Sequence, residues 1–291
     1  MPHPKKILGL SCAIGVIVIW SGFIVFSRAG MNTRLTAYDI TALRFLVAGS
    51  VVLPFLKSWW PKHLPLHAAL IMSVCGPGAI YSVLMYLGVA NASAAYAGVF
   101  ANGSLPVFTM LIVYLVVRES PGRGQLFAVG IIAVGGILVG WPGMAAGGIN
   151  LLSGIMFLFS ASAVLSVYFF GIRFWRLEPR QALVLVNVPN LLVFLPLWYF
   201  FLPSGMHEVE TFTIVFQALF QGLGPGFLAV ILFSIAATIL GPTKMAGFSA
   251  AVPASAALMA IPVLNEFPSP VEWTGIAVLT LGLGILIAVR S

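Results

Sequence analysis

Residues 68–118 read "AALIMSVCGPGAIYSVLMYLGVANASAAYAGVFANGSLPVFTMLIVYLVVR", and the first charged side chain in the run is its last, Arg118. A bilayer core about 30 Å thick is crossed by about 20 mostly apolar helical residues, so the run is long enough for two spans. Inside the first of them stand Gly76, Pro77 and Gly78. Proline removes a backbone donor and clashes one turn back, and glycine carries freedom that folding must remove, so this tripeptide is a stop signal for a helix. It returns as Gly224, Pro225 and Gly226, within "LGPGF" at 223–227. The chain interrupts itself in two of its most apolar places.

The composition leaves little choice of fold class. The 291 residues are 60% hydrophobic and 7% charged, with a mean hydropathy of +1.09, where soluble domains carry roughly a quarter charged residues. Long continuous apolar runs lack the period-two alternation of a barrel strand. The expectation is an all-α membrane protein with ten transmembrane helices, near 7–27, 37–57, 65–89, 92–117, 123–141, 150–172, 181–202, 211–239, 244–264 and 271–289. The N-terminal apolar stretch continues to Phe26 with no small-residue cleavage pattern, and reads as the first span rather than a signal peptide.

The formal charge of +7 comes from basic residues set singly or in pairs at the ends of apolar runs. That spacing orients spans in a membrane and does not build a nucleic-acid surface. With the N-terminus cytoplasmic, the inner loops hold Lys5, Lys6, Lys57, Lys62, Arg118, Arg123, Arg173, Arg176, Arg180, Lys244 and Arg290, and the outer loops hold only Arg28 and Arg34. The positive-inside rule therefore puts both termini in the cytoplasm. Six of the seven tryptophans fall at span ends, as interface anchors do; Trp20 does not. Cys12 and Cys75 lie inside apolar runs, so no disulfide, metal site or cofactor is expected.

The two halves resemble each other at a shift of 147 residues. Ala90 pairs with Ala237, Pro106 with Pro253, Glu119 with Glu266, Pro121 with Pro268 and Gly135 with Gly282, while the Gly-Pro-Gly tripeptides pair at 148. The first two spans of each half show only weak similarity. Five spans per repeat is an odd number, so residues 146–291 must enter the membrane from the side opposite to residues 1–145. Inverted five-helix repeats with a midplane binding site between them are a transporter design.

The ten spans, "IWSGFIVFSR" in the first, "ALRFLVAG" in the second and the paired Pro, Glu and Gly positions resemble the drug/metabolite transporter superfamily, EamA-like branch. The resemblance covers nearly the whole chain and implies export of a small metabolite or drug-like solute. In the second half no tryptophan or arginine stands in the places of Trp20 and Arg44.

The tripeptides at 76–78 and 224–226, together with Pro106 and Pro253, are expected to interrupt four helices at one depth, as breaks facing a cavity or as packing and hinge points. Near that depth polar side chains are few. Asn102 and Ser249 pair at 147, Gln217 and Gln221 are one turn apart, and Asn187 and Asn190 flank Pro189. Each is either a cross-helix bond or a cavity lining. Trp20 and Tyr81 are the aromatic candidates for contact with a solute, so the candidate site is Trp20, Tyr81, Asn102, Asn187, Gln221 and Ser249. Arg44, about eight residues into its span, is either functional or snorkelling. Glu119 and Glu266 stand beside prolines and read as helix-start or loop contacts.

The first functional reading is a secondary transporter of a small solute, working by alternating access. A channel-like facilitator is the alternative; it would need a polar-lined path that the composition hardly supplies. An intramembrane enzyme would need a constellation such as a serine elbow with a histidine, and "GFSAA" at 247–251 lacks the second glycine. No carboxylate or histidine is expected in mid-membrane, which leaves proton coupling without an obvious carrier. The partners expected are a small-molecule solute and lipid, and two repeats in one chain already make a complete carrier.

Overall fold

The computed structural model describes residues 4–145, 149–241, 245 and 248–290. Among the described residues there is no strand, and ten main helical elements follow in order, with one short 3-10 turn at Met206–Glu208 between the seventh and eighth. They are α1 (Pro4–Met31), α2 (Ala37–Trp59), α3 (Leu66–Asn91), α4 (Ala94–Val117), α5 (Arg123–Ala145), α6 (Ile149–Phe174), α7 (Pro179–Phe201), α8 (Thr211–Leu240), α9 (Val252–Leu264) and α10 (Pro270–Arg290). Nine of these are long and apolar enough to cross a membrane; α9 is apolar but shorter. The expected start of the ninth span at Lys244, Gly247 of "GFSAA" and the expected loop around Gly147 lie outside the described residues.

The exterior is apolar: Ile149 is 83% exposed, Phe201 78% and Phe212 77%. Polar side chains lie inside instead, among them Ser27, Asp39, Arg44, Ser82, Asn187, Gln217 and Gln221. An outside of this kind belongs in hydrocarbon, so the chain is a multi-pass helical membrane protein.

Helix ends follow from local chemistry. Thr36 and Asp39 form a reciprocal capping box that starts α2, and Glu178 with Gln181 does the same for α7, with Pro179 in the first turn. Arg118 and Asn265 close α4 and α9 in the left-handed region, at φ 64° and 55°. These two caps are 147 residues apart, as are Leu105 and Val252, which open the last stretch of α4 and α9, and Arg123 and Pro270, which open α5 and α10.

Close glycine contacts give the helix directions. Gly9 packs on Ile239, Gly15 on Leu232 and Gly22 on Phe220, so α1 and α8 run antiparallel. By the same test α3 and α6 are antiparallel (Gly88 with Leu158, Gly76 with Tyr168), and so are α5 and α10 (Gly124 with Val289, Gly135 with Leu279). Between α2 and α7, Gly49 meets Leu191 while Asp39 bonds Trp198. In contrast, α1 and α9 run parallel, joined at Ser21 to Val252 and at Arg28 to Glu266. The pair α4 and α6 is parallel too, with Phe100 against Phe159 and Ser166 donating to the Leu105 carbonyl.

The four expected interruptions take different forms. At 76–78 the helix does stop: Gly76 and Gly78 are extended, at ψ −172° and −163°, between the helices Leu66–Cys75 and Ala79–Asn91. At 224–226 it does not stop. Residues Gly224–Leu228 form one widened turn, with the Ala229 N–H reaching the Gly224 carbonyl, so the bond that Pro225 cannot donate is absorbed and α8 continues. Pro106 and Pro253 each stand just after a lapse in the helix, at Ser104 and at Ala250 and Ala251. Each sits in the first turn of a 13-residue helix, where its missing N–H costs nothing, and in α4 the irregularity lies upstream in the wide turn Gly98–Gly103.

Candidate functional site

The buried polar side chains gather where α1, α2, α3 and α8 meet. Gln221 Nε2 donates to Ser27 Oγ at 3.2 Å and to Gln217 Oε1 at 3.1 Å, Gln217 Nε2 donates to the Phe26 carbonyl at 2.8 Å, and the Tyr86 hydroxyl reaches Gln221 Oε1 at 3.5 Å. In an apolar surround each of these groups needs a partner, and together they fix the register of α8 on α1.

Beside this network lies Arg44. It is 2% exposed, with its guanidinium carbon 5.5 Å from the Phe23 ring centre and 5.8 Å from that of Phe45. Tyr86 lies within hydrogen-bond reach of it, and Tyr81 and Tyr168 within electrostatic reach. Among the described residues its Nε and Nη1 have no hydrogen-bond partner, and neither does the buried hydroxyl of Ser82, next to Tyr81 in α3.

The asparagines of α7 serve the two tripeptides. Asn190 Oδ1 accepts from the Ala79 N–H at 2.9 Å and its Nδ2 donates to the Ser73 carbonyl at 3.0 Å, replacing helical bonds that the α3 break gives up. Asn187 Nδ2 lies 3.4 Å from the Gly226 carbonyl of α8. One turn of α7 therefore touches both irregular segments.

Of the expected site residues, Tyr81 and Gln221 come together with Arg44. Trp20 lies two turns along α1 from Ser27 and stacks on Phe233 of α8 at 5.8 Å. Asn187 is at the α8 irregularity. Ser249 bonds back to the Met245 carbonyl of its own segment, and half-buried Asn102 sits in the wide turn of α4; neither bonds to the Arg44 cluster. Asn190 was not among the expected site residues, although its place beside Pro189 is visible in the sequence.

Two polar locks at one end of the bundle were also missed. Arg28 Nε is 2.8 Å from Glu266 Oε1, Arg28 Nη1 donates to the carbonyls of Val89 and Ala90 at 2.6 and 3.0 Å, and Glu266 Oε2 accepts from the Ala94 N–H at 2.9 Å. This ties α1, α3 and α4 to the end of α9, where the helix-start or loop reading of Glu266 saw no partner. A cleft of ≈ 260 Å³ lined by Ser93, Tyr96, Glu266, Phe267 and Glu272 adjoins it. Asp39 makes the second lock, accepting from Trp198 Nε1 and from the Gly205 N–H, both at 2.9 Å, so that α2 is held to the far end of α7.

The likeness to a transporter family and to a transporter homologue makes this helical bundle, with its apolar exterior and buried polar cluster, a membrane transporter. The EamA-like transporter family matches residues 7–141, a likeness that supports the drug/metabolite transporter superfamily. It is 24% identical over 259 residues to the uncharacterized transporter YwfM of Bacillus subtilis (strain 168), covering 85% of this chain and 83% of that protein. A solved crystal structure, described only as that of a protein, has the same fold with a TM-score of 0.65 and 18% identity over 98% of each chain.

Proposed function

We propose that this transporter is a secondary carrier that moves a small solute by alternating access, with residues 1–145 and 146–291 as inverted five-helix repeats. Several relations support the repeat. Exchanging helix n with n+5 turns the α1–α8 contact into α6–α3 and the α1–α9 contact into α6–α4, and all four are present with matching directions. Gly135 packs on Leu279 and Gly282 on Ile132, and each residue of one pair lies 147 from one of the other. The Ser166 bond to the Leu105 carbonyl has its counterpart in the Ser21 bond to the Val252 carbonyl, which extends the repeat into the first helices at a shift of 145. The repeat mates α2 and α7 are antiparallel, as are α5 and α10, which favours inversion.

The observation that carries the mechanism is an asymmetry between matched residues. Arg28 and Glu266 pair, whereas Arg173, 145 after Arg28, and Glu119, 147 before Glu266, are both exposed and make no ion pair among the described residues. We read Arg28–Glu266 as the closed gate of one face and Arg173–Glu119 as the open gate of the other. In the second state the first pair parts and the second forms. With the termini cytoplasmic, as the charge distribution favours, the state described is closed to the outside. The outward direction of net transport rests on the family resemblance, and one chain suffices for the cycle.

Counterflow in proteoliposomes tests the carrier: a saturable exchange that is lost when Gly78 is replaced by Leu supports it, and non-saturating flux favours a channel-like facilitator. Topology reporters at the C-terminus and at Gly147 test the inversion. The expected result is cytoplasmic and external respectively; both on one side would refute it.

A further inference from the structure

We propose that the transported solute is an organic anion whose carboxylate is bound by Arg44, a proposal that rests on the carrier reading. A guanidinium seven residues into α2 from Ala37 is about 10 Å along the helix, close enough for its stem to carry the charge back toward the interface. It does not do so: the residue is 2% exposed, with its head against Phe23 and Phe45. Desolvating a cation is costly unless an anion meets it.

Among the described residues no carboxylate does. Asp39 is held by Thr36, Trp198 and Gly205, Glu266 by Arg28, Glu178 by Arg180 and Glu208 by Arg34. Glu272 accepts from the Ser269 N–H, and Glu119 and Glu210 are exposed at helix ends. These seven are all the acidic residues of the chain. The Arg44 charge is therefore left for a ligand to neutralise, with Nε and Nη1 free to donate. Its surroundings suit the same ligand. The unpartnered hydroxyl of Ser82, next to Tyr81 in α3, adds a donor, and the phenols of Tyr81, Tyr86 and Tyr168 add polar edges within electrostatic reach of the guanidinium. No arginine occupies the matching place in the second half, so the carrier holds one such site.

The test is the thermal stability of the purified protein with acetate, pyruvate, benzoate and indole-3-acetate, each compared with its neutral amide, in wild type, Arg44→Lys, Arg44→Gln and Arg44→Met. At least one acid is expected to raise the melting temperature by several degrees where its amide does not. Arg44→Lys should keep part of the shift, and Arg44→Gln and Arg44→Met should lose it while melting no lower than the wild type without ligand, because they remove an uncompensated charge. The proposal is overturned if no acid outperforms its amide, or if the shift survives in Arg44→Gln. It is equally overturned if Arg44→Gln and Arg44→Met both melt well below wild type, the mark of a structural arginine. Counterflow separates this from the carrier reading: saturable exchange of the amides with no acid effect would sink the anion site alone, and acid binding without any saturable flux would sink the carrier alone.

Discussion

Arg28 and Glu266 meet at 2.8 Å across one end of the bundle, while Arg173 and Glu119, which stand in their places 145 and 147 residues away in the sequence, remain apart and exposed at the other. The side chains of the closed pair are 20% and 21% exposed, so water screens part of their attraction. A pair of this kind contributes on the order of 1 kcal/mol, enough to shift a two-state equilibrium roughly fivefold. That suits a gate, which must hold and then release.

Glu266→Gln should therefore favour the state open at this end. A cysteine placed at Ser93, in the adjoining cleft, is expected to react with a membrane-impermeant maleimide about fivefold faster than in the otherwise unchanged protein. An unchanged rate would mean that the pair is an ornament of the loop.

The α5–α10 crossing should be intolerant of a single methyl group. A Cβ on Gly135 would lie 2.6 Å from the Leu279 backbone nitrogen and 2.7 Å from the Gly275 carbonyl, and backbone cannot rotate away. Gly135→Ala is expected to cost about 1–3 kcal/mol. Gly130, in the same helix with nothing within 4 Å, should gain up to about 1 kcal/mol as Ala through helix propensity. Melting curves of the two variants in one detergent check the contrast.

The two Gly-Pro-Gly segments should respond unequally. A Cβ on Gly78 would stand 2.6 Å from the Ser73 carbonyl, whereas one on Gly226 would meet its nearest atoms at 3.1 and 3.2 Å. Gly78→Ala is thus expected to lower the melting temperature more than Gly226→Ala. Likewise Asn190→Leu leaves the Ala79 N–H and the Ser73 carbonyl without their partner, at about 1–3 kcal/mol, while Asn187→Leu loses a 3.4 Å contact to Gly226 and a 3.0 Å bond to the Leu183 carbonyl of its own helix, and should cost less. Equal effects across either pair would contradict the different structures of the breaks.

The helices themselves were legible because hydropathy decides them. Nearly every boundary falls within a few residues of expectation, and α1 runs past Phe26 to Met31 because Arg28 finds carbonyls and a carboxylate to bind instead of ending the helix. The breaks were legible as positions and not as shapes. Whether Pro225 stops a helix depends on whether one wider turn can absorb it, and Pro106 looks disruptive until the wide turn before it is seen. Tyr81 and Gln221 could be chosen for their depth, but Asn102 and Ser249, chosen for pairing at 147, face other surroundings. The Arg28–Glu266 pair was hidden by register. Ser21 and Arg28 match Ser166 and Arg173 at 145, not 147, so a single fixed shift misses them.

Two spin-label distances test alternating access most directly, in a protein whose Cys12 and Cys75 have been replaced. One pair joins Asn32 and Phe267 beside the closed gate, and the other joins Phe174 and Ser120 beside the open one. Pulsed electron resonance on the protein with Glu266 intact and with Glu266→Gln should show the first distance lengthening as the second shortens, in the same fraction of molecules. If the two distances lengthen together, or the second stays fixed while the first changes, the gates are not coupled and the alternating-access account is wrong.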